Sequence, residues 1–350
     1  MIDFNDLVRR ALQEGAGDIH LKVGVPPSIR VAGHLQRLGE EIVDEKSMLS
    51  IVETMAGKKN LLQLRDTRDI DILHQAGSLC RLRVNIFLQS GTLALSARVI
   101  PRDVPILEEL GFSDAVVSRM TSLREGLFLV TGPTNAGKST TIAALIDAFA
   151  MKGNLHVVTI EDPVEFLFPR YAKSLVDQRQ IGRDTPNFRT AITDTFREDP
   201  DIIVIGEMRD PDTLCAAIEA AETGRLVIST FHTASAVSTI TRIVSSFSES
   251  QRSRIRNALA SILKGIVSQY LLPSTDRKTR VLAYESLFTT SAMRKHIRDD
   301  RFNQLENVIQ LTRGKGGREN NSMADSIAAL VKEKRVLYTE IPEEFKKMQM

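Results

Sequence analysis

The residues most able to do chemistry are two glycines with four residues between them, followed directly by a lysine and a serine. They are Gly132, Gly137, Lys138 and Ser139, and they fit the P-loop pattern. The apolar run before them is typical of a buried parallel strand, and residues 141–149 after them have helical spacing. Backbone N–H groups at such a junction converge on an anion, and the helix dipole favours negative charge there. This stretch therefore predicts a site for a nucleoside triphosphate.

The expected ligands of this site are the nucleotide and Mg²⁺. Lys138 is expected to reach the β- and γ-phosphates, and the Ser139 hydroxyl is expected to hold Mg²⁺. The alternative is a glycine turn that caps an ordinary helix, which the strand before the loop and the helix after it disfavour. The predicted nucleotide-binding residues are Gly132, Pro133, Thr134, Asn135, Ala136, Gly137, Lys138, Ser139 and Thr140.

Length and composition indicate a globular protein of about two domains. Of the 350 residues, 42 % are hydrophobic and 26 % charged, and the net charge of +2 does not argue for nucleic acid. Cys80 and Cys215 lie far apart without a CxxC motif, so both are expected to be small core residues in a reducing cytosol. No run of 18 apolar residues occurs, so no membrane-spanning segment is expected.

The first hundred residues carry short helical and strand-like patterns. Two segments have apolar residues at helical spacing, and the others alternate apolar with polar residues. This predicts a small α+β domain with a mainly antiparallel sheet, which we assign to residues 1–104. The predicted elements are a helix at 2–14, strands near 19–23 and 29–31, a helix at 44–64, and strands near 70–72, 82–86 and 93–99.

Three arginines are expected on the outer face of that sheet. Because side chains alternate along a strand, Arg81 and Arg83 face outward when Leu82 and the other alternating apolar residues of that strand face the core. Arg98 faces outward in the same way on the next strand. Two interpretations are open at this point. The face is either simply solvated, or its arginines reach the nucleotide of a neighbouring subunit.

The pattern changes after residue 104. Prolines mark a linker over 105–124, and strands then alternate with helices, which predicts a parallel α/β domain with a helical tail over 125–350. Polar clusters follow these strands at their carboxyl ends, where open α/β sheets bind ligands. The predicted elements after the P-loop helix are strands near 155–160, 202–205, 226–230 and 281–287, and helices near 187–197, 211–222, 234–246 and 249–271.

The polar residues at these strand ends fit phosphate hydrolysis. Glu207 ends the strand expected beside the P-loop strand, and we assign it, with Ser139, to Mg²⁺ and its water shell. A carboxylate cluster at 161–165 is expected one strand away, where like charges raise a pKa and so favour a general base. His232 could hydrogen-bond the γ-phosphate. The alternatives are a helix cap for Glu207 and a core histidine for His232.

Four segments resemble the boxes that define the secretion ATPases of type II secretion and type IV pili. Residues 132–139, 160–165, 198–209 and 224–233 are similar to the Walker A box, Asp box, Walker B box and His box. The short amino-terminal part and residues 292–301 resemble in particular the pilus retraction ATPases of the PilT type. The resemblance extends over nearly the whole chain.

This resemblance implies a hexameric cytoplasmic ATPase with a PAS-like amino-terminal domain and a RecA-like carboxyl-terminal domain. It implies ATP and Mg²⁺ as ligands, with Glu165 as general base, Glu207 as the Walker B glutamate and His232 as the His-box histidine. The arginine fingers of the family fall on Arg81, Arg83 and Arg98.

The predicted function is ATP hydrolysis around a ring, coupled to pilus disassembly. The expected partners are further copies of the chain in a homohexamer, an inner-membrane platform protein and a paralogous pilus ATPase. Contact with the membrane is expected to be peripheral, from the cytoplasm. Three alternatives are a divergent secretion or accessory pilus ATPase, a regulatory ring with slow turnover, and a nucleic-acid translocase. Near-neutral charge and the lack of an aromatic–basic stripe disfavour the translocase.

The chain departs from the family pattern in three places. Asn135 and Ala136 replace the usual Gly-Ser of the P-loop, and because Asn tolerates left-handed φ we expect the loop to keep its shape. Thr193 stands where the family commonly has an Arg. The tail loop at 313–321 is longer and more polar than the family pattern.

Residues 292–301 suggest a role beyond hydrolysis. At helical spacing Met293 and Ile297 share one face, while three arginines form a basic stripe. One interpretation is a solvated helix face, and the other is a helix that relays the nucleotide state to the platform protein. On the second interpretation, polar residues at Met293 and Ile297 are expected to spare ATPase activity.

Overall fold

The computed structural model describes residues 2–305, 307–308 and 319–346, with the backbone alone at 58 and 59. These residues divide into two compact units. The first contains the residues up to Asp103 together with Pro273–Arg280, and the second contains Val104–Leu272 and the residues from Val281 onward. Within the described ranges, no helix combines the length and the apolar character needed to cross a bilayer.

The first unit contains an antiparallel sheet with helices. Its elements are α1 (Phe4–Gln13), β1 (Ala16–Lys22), β2 (Ser28–Val31), β3 (His34–Arg37), α2 (Glu45–Thr67), β4 (Asp69–Ala76), β5 (Cys80–Gln89) and β6 (Thr92–Ile100). The strand order is β3-β2-β1-β6-β5-β4, and each neighbouring pair is antiparallel, as the alternation pattern predicts. The sequence did not predict β3, because all of its residues are exposed and burial imposes no apolar alternation on it.

Local chemistry sets the ends of the two helices in this unit. The Asp3 carboxylate accepts from the backbone N–H of Asn5 at 2.9 Å and begins α1. The Asp44 carboxylate accepts from the backbone N–H of Ser47 at 2.6 Å and begins α2. Gly57, with φ 66° and ψ 171°, interrupts α2, which is therefore two helical segments across a kink.

The second unit is built on a larger sheet. Its strands are β7 (Gly126–Thr131), β8 (His156–Glu161), β9 (Leu175–Gln180), β10 (Ile202–Ile205), β11 (Leu226–Phe231), β12 (Leu263–Pro273) and β13 (Arg280–Phe288), in the order β13-β12-β7-β11-β10-β8-β9. Its helices are α3 (Asp114–Thr121), α4 (Lys138–Lys152), α5 (Phe188–Thr195), α6 (Pro211–Glu222), α7 (Ala236–Ser245), α8 (Glu249–Ile262), α9 (Ser291–Arg298), α10 (Met323–Lys332) and α11 (Glu343–Lys346).

The central strands of this sheet are parallel and buried on both faces. The pairs β12–β7, β7–β11, β11–β10, β10–β8 and β8–β9 are all parallel. Along β7, Leu127 and Leu129 belong to one apolar cluster, whereas Phe128 and Val130 belong to another. Because both faces are covered, the polar residues of this sheet collect at the strand ends.

Two segments of the second unit differ from the prediction. The expected helix at 249–271 is wrong beyond Ile262, because residues from Leu263 form β12 and pair with β7. A buried apolar run does not distinguish helix from strand by its periodicity, and Ile266 and Val267 are β-branched. The edge strand β9 was not predicted, since its residues are partly or fully exposed.

The expected relay face on α9 is not a surface. Met293 and Ile297 are fully buried and belong to the same apolar cluster as Leu127. Polar residues at these two positions would be placed in an apolar core. The premise of the prediction that they spare ATPase activity is therefore wrong. Of the unusual tail loop, residues 313–318 lie outside the described residues, whereas Asn321 bridges to Ser286 of β13.

Candidate functional site

The predicted site residues of the second unit follow the carboxyl ends of four parallel strands. The P-loop joins β7 to α4, His232 follows β11, Glu207 lies just after β10, and Glu165 lies after β8. One expectation is wrong, since β11 separates β10 from the P-loop strand. Chain order does not determine sheet order, and the two apolar strands β10 and β11 fit either position. His232 therefore follows the strand next to the P-loop strand.

The backbone of the P-loop suits close approach by an anion. Asn135 (φ 67°) and Gly137 (φ 83°) both adopt the left-handed conformation, in agreement with the expectation for Asn135. A Cβ atom at Gly132 would lie 2.4 Å from the carbonyl oxygen of Gln269, so no larger residue fits there. The N-cap residue of α4 is Gly137, which has no side chain to cap the helix, so a phosphate can be bound by the N–H groups and dipole at this end.

Lys138 is held beside this loop by two carbonyl groups. Its Nζ atom donates to the oxygens of Gly132 and Pro133, at 2.8 Å each, and lies 3.5 Å from His232 Nδ1. Burial lowers the pKa of Lys138 to about 8, and the charge of Glu207 opposes that shift. A phosphate next to Nζ would favour the charged ammonium and restore a higher pKa.

A chain of polar contacts continues from Lys138 to Glu207. His232 Nε2 lies 3.6 Å from Glu207 Oε2, and that same oxygen lies 2.7 Å from Arg209 Nε. Burial and the Lys138 charge lower the pKa of His232, with Glu207 opposing them. The imidazole is therefore mainly neutral at pH 7, with one ring nitrogen able to accept and the other to donate. The structure thus brings Lys138, His232 and Glu207 together.

The acidic segment after β8 is anchored by hydrogen bonds. Glu161 Oε1 accepts from Thr159 Oγ1 at 2.6 Å and from Gln178 Nε2 at 3.2 Å. The carboxyl group in this cluster with a raised pKa is Glu161, chiefly because of burial, and the charge of Glu165 adds to the effect. Glu165 itself is partly buried and lies in the segment that follows β8, the strand beside β10.

The three predicted arginines lie on one sheet face of the first unit. Arg83 and Arg98 are cross-strand partners, and Arg81 lies two residues before Arg83 on β5. Arg98 Nε donates to Asp18 Oδ1 at 2.9 Å, and Asp18 is also the cross-strand partner of Arg30. The predicted outward face is therefore present, but it carries an acidic residue between arginines that sequence reasoning did not weigh.

Sequence reasoning also missed polar residues that support the P-loop. Gln269 is buried in β12, and its Nε2 atom donates to Thr141 Oγ1 of α4 at 2.7 Å. The hydroxyls of Thr131 and Ser268 are 2.7 Å apart and join β7 to β12. The two adjacent polar residues in an otherwise apolar run could have indicated this role, but the segment was interpreted as helix.

A separate cleft of about 260 Å³ lies at the opposite edge of the sheet. It is lined by residues next to the amino ends of β7, β10 and β11, among them Leu123, Arg124, Ile202 and Arg225. None of the predicted site residues lines it. The predicted site residues lie instead at the carboxyl edge of the sheet.

The fold and the loop geometry define the class of this protein. A parallel α/β sheet carries a glycine loop at the amino end of a long helix, with a lysine, a histidine and a glutamate in contact beside it. Phosphoryl-transfer enzymes of the P-loop class bind the phosphates of a nucleotide with such a loop and its lysine. The chain is a P-loop nucleotide-binding protein.

Comparison with known proteins agrees with this class. The sequence model of the family described as type II/IV secretion system protein matches residues 1–343. The type IV pilus retraction ATPase PilT of Pseudomonas aeruginosa is 38 % identical over 309 residues, which are 88 % of this chain and 89 % of that protein. The chain therefore belongs to the type II/IV secretion system protein family, and it is an ATP-hydrolysing enzyme.

Two solved structures resemble the whole chain. A crystal structure of the pilus retraction motor PilT with bound ADP superposes with a TM-score of 0.85 at 35 % identity, covering 100 % of both chains. The ATPase DotB of Legionella pneumophila superposes with the same TM-score of 0.85 at 26 % identity, covering 99 % of this chain and 95 % of that one. The likeness therefore extends to the ATPase DotB as well as to a retraction motor.

Proposed function

We propose that this chain is a Mg²⁺-dependent ATPase motor that powers type IV pilus retraction. It acts as a homohexamer at the platform protein on the cytoplasmic face of the inner membrane, with a paralogous pilus ATPase as a further partner. Its first domain is PAS-like and its second RecA-like. The observation that carries the proposal is the contact chain Lys138–His232–Glu207 beside the P-loop, in a chain 38 % identical to PilT.

Nucleotide binding is the task of the P-loop. Lys138 presents a fixed positive charge to the β- and γ-phosphates, and residues 132–140 surround them with backbone N–H groups. Ser139 and Glu207 would hold Mg²⁺ and its water shell through their hydroxyl and carboxylate oxygens. When bound, Mg²⁺ neutralises charge that develops on the phosphate oxygens.

Hydrolysis requires a base and a sensor of the γ-phosphate. Glu165 is the proposed general base, which orients and deprotonates the attacking water. His232, neutral and 3.5 Å from Lys138, donates a hydrogen bond to the γ-phosphate and so distinguishes triphosphate from diphosphate. The arginines Arg81, Arg83 and Arg98 stabilise the transition state as fingers from a neighbouring subunit.

A paired experiment tests this function. A strain that lacks the gene receives either the wild type or Lys138→Ala, and pilus retraction force and purified ATPase activity are measured together. The proposal expects the wild type to hydrolyse ATP and restore retraction, and the variant to do neither while still forming hexamers. An active ATPase whose loss leaves retraction unchanged would contradict the motor assignment.

Membership of the type II/IV secretion system protein family supports a second candidate, a secretion-system ATPase. It uses the same site and differs only in the machinery that the ring serves. Loss of the gene would then impair export of secreted proteins and leave pili to retract normally. Measuring both phenotypes in one deletion strain separates the two candidates.

A further inference from the structure

The segment that carries Glu165 is fastened to the edge strand β9 by one side chain in particular. Gln178 Nε2 donates to the Phe166 carbonyl oxygen at 2.8 Å and to Glu161 Oε1 at 3.2 Å. Its Oε1 atom accepts from the Phe168 backbone N–H at 3.4 Å. One amide group therefore holds the backbone at two points just after Glu165, and it also holds the carboxylate at the start of the segment.

One further contact fixes the backbone just before Glu165. The backbone N–H of Val164 donates to Gln180 Oε1 at 3.3 Å. Two side chains, Gln178 and Gln180, thus hold the backbone on both sides of Glu165, and they lie at alternating positions of β9.

The intervening residues of β9 serve other contacts. Arg179 Nη1 lies 2.6 Å from Glu198 Oε1, and Asp177 Oδ2 lies 2.9 Å from His156 Nε2. Side chains at alternating positions of a strand point to opposite faces. One face of β9 therefore supports the acidic segment, and the other face makes unrelated ion pairs. Residues on that other face can serve as matched controls.

The chemistry of this support calls for an amide. The Gln178 side chain donates to a carbonyl and a carboxylate while accepting from an N–H group, and a side-chain amide offers two N–H donors and an acceptor on one rigid plane at any working pH. A general base must be held within a fraction of an ångström of its working position, because small displacements cost much of the rate.

We propose that Gln178, assisted by Gln180, is a positioning residue for the general base Glu165. It acts through the backbone at Phe166 and Phe168 and through the carboxylate of Glu161, and it does not touch the nucleotide. The inference rests on the proposed function, since it takes Glu165 to be the base.

The first test compares substitutions at one position. In Gln178→Leu and the isosteric Gln178→Glu, kcat for ATP should fall at least about tenfold, because the segment loses its donors, while KM and ADP affinity stay within about twofold. Asp177→Asn, on the opposite face of the same strand, should keep wild-type kcat. Thermal melting of each variant shows that it is folded, and the isosteric variant carries the test if the leucine variant is not.

A pH profile distinguishes positioning from packing. In Gln178→Glu the introduced carboxyl group regains a donor when it is protonated, so the kcat of this variant relative to wild type should rise as the pH falls. Gln178→Leu has no group to protonate, and its relative kcat should stay flat. A flat profile for both variants would show that hydrogen bonding at this position is not what matters and would overturn the proposal.

The closing experiment combines Gln178→Leu with Glu165→Gln and measures the residual kcat. If Gln178 acts through Glu165, the double variant should be no slower than Glu165→Gln alone. If Gln178→Leu lowered kcat as much in the Glu165→Gln background as it does in the wild-type background, the positioning role would be overturned. The positioning role would also be overturned if Glu165→Gln lost activity while both Gln178 variants kept a normal kcat. The proposed function would stand in that case. Wild-type turnover in Glu165→Gln itself would instead overturn the base assignment and, with it, this inference.

Discussion

The two sheets of this protein differ in where they can carry chemistry. In the second unit, alternate residues of β7 pack into two different apolar clusters, so neither face is open to solvent. In the first unit, Leu82 and Val84 are buried, while Arg81 and Arg83 beside them are partly exposed. A parallel sheet covered on both faces leaves only its strand ends for function, whereas an antiparallel sheet with one open face can display a row of charges.

The largest effect is expected at the strand ends. Lys138→Ala should reduce ATP turnover on the order of 10³-fold, to near background, because the phosphates lose the cation fixed beside them. A coupled assay of ADP release measures it. Lys152 lies at the other end of α4, where its Nζ atom donates to the Thr121 carbonyl oxygen. Lys152→Ala is the matched control and should hydrolyse ATP at the wild-type rate. Equal ATPase activity in the two variants would show that Lys138 is not a functional residue of the site.

The open sheet face is expected to matter only in the assembled ring. Arg81→Ala, Arg83→Ala and Arg98→Ala, made singly, should identify at least one arginine finger, whose loss can lower the rate ~10³-fold. Activity is measured at concentrations where sedimentation shows hexamers. Arg9→Ala, in an exposed ion pair on α1, serves as the control. Normal rates in all three variants would mean that the face is merely solvated.

Glu165→Gln should slow turnover roughly 10²-fold or more while leaving nucleotide binding intact, because it removes the base and keeps the shape. Stopped-flow binding of a fluorescent nucleotide, together with single-turnover hydrolysis, separates the two steps. Glu207→Gln is the comparison, and its rate should depend more strongly on Mg²⁺ concentration. A wild-type rate of hydrolysis in Glu165→Gln would mean that another residue is the general base.

The core position of α9 predicts a loss of stability. Ile297→Ala should lower the free energy of unfolding of the second unit by about 2–5 kcal/mol, because it removes fully buried methyl groups. Urea denaturation checks this value. Lys295→Ala, at an exposed position of the same helix, should change stability little. An unchanged midpoint for Ile297→Ala would contradict its place in the core.

The smallest expected effect is a pH dependence of binding. Burial lowers the pKa of Lys138 to about 8, so the free enzyme loses this positive charge as the pH rises through that value. A bound phosphate favours the ammonium, so ADP binding at about pH 9 should take up a proton and be weaker than at about pH 7. Calorimetry in buffers of different ionisation enthalpy measures the uptake. Lys138→Ala should abolish the difference between the two pH values.

The sequence predicted the local parts of the site well and the non-local parts less well. The P-loop, its strand and its helix lie within the single continuous segment 126–152, so spacing alone indicates them. That β11 lies between β7 and β10 depends on contacts between distant segments, which no local pattern encodes. The segment from Leu263 fits a buried helix and a buried strand equally well, and only pairing with β7 decides.

The supports of the site were the hardest to predict. Gln178 lies on an edge strand whose exposed residues carry no apolar alternation, so neither the strand nor its role is visible in the sequence. Gln269 lies in the segment that was interpreted as helix. Both residues act by hydrogen bonds to segments distant in the chain, and such contacts follow from the fold rather than from spacing.

The central claim is that the strand ends of one subunit and the arginine face of a neighbour act on the same nucleotide. Mixing two inactive variants, Lys138→Ala and the arginine variant with the lowest rate, tests it directly. In mixed hexamers some interfaces unite an intact Lys138 with intact arginines, so ATP hydrolysis is expected to return on mixing. Activity that stays at background in mixed rings, with subunit exchange verified by fluorescence, would contradict it.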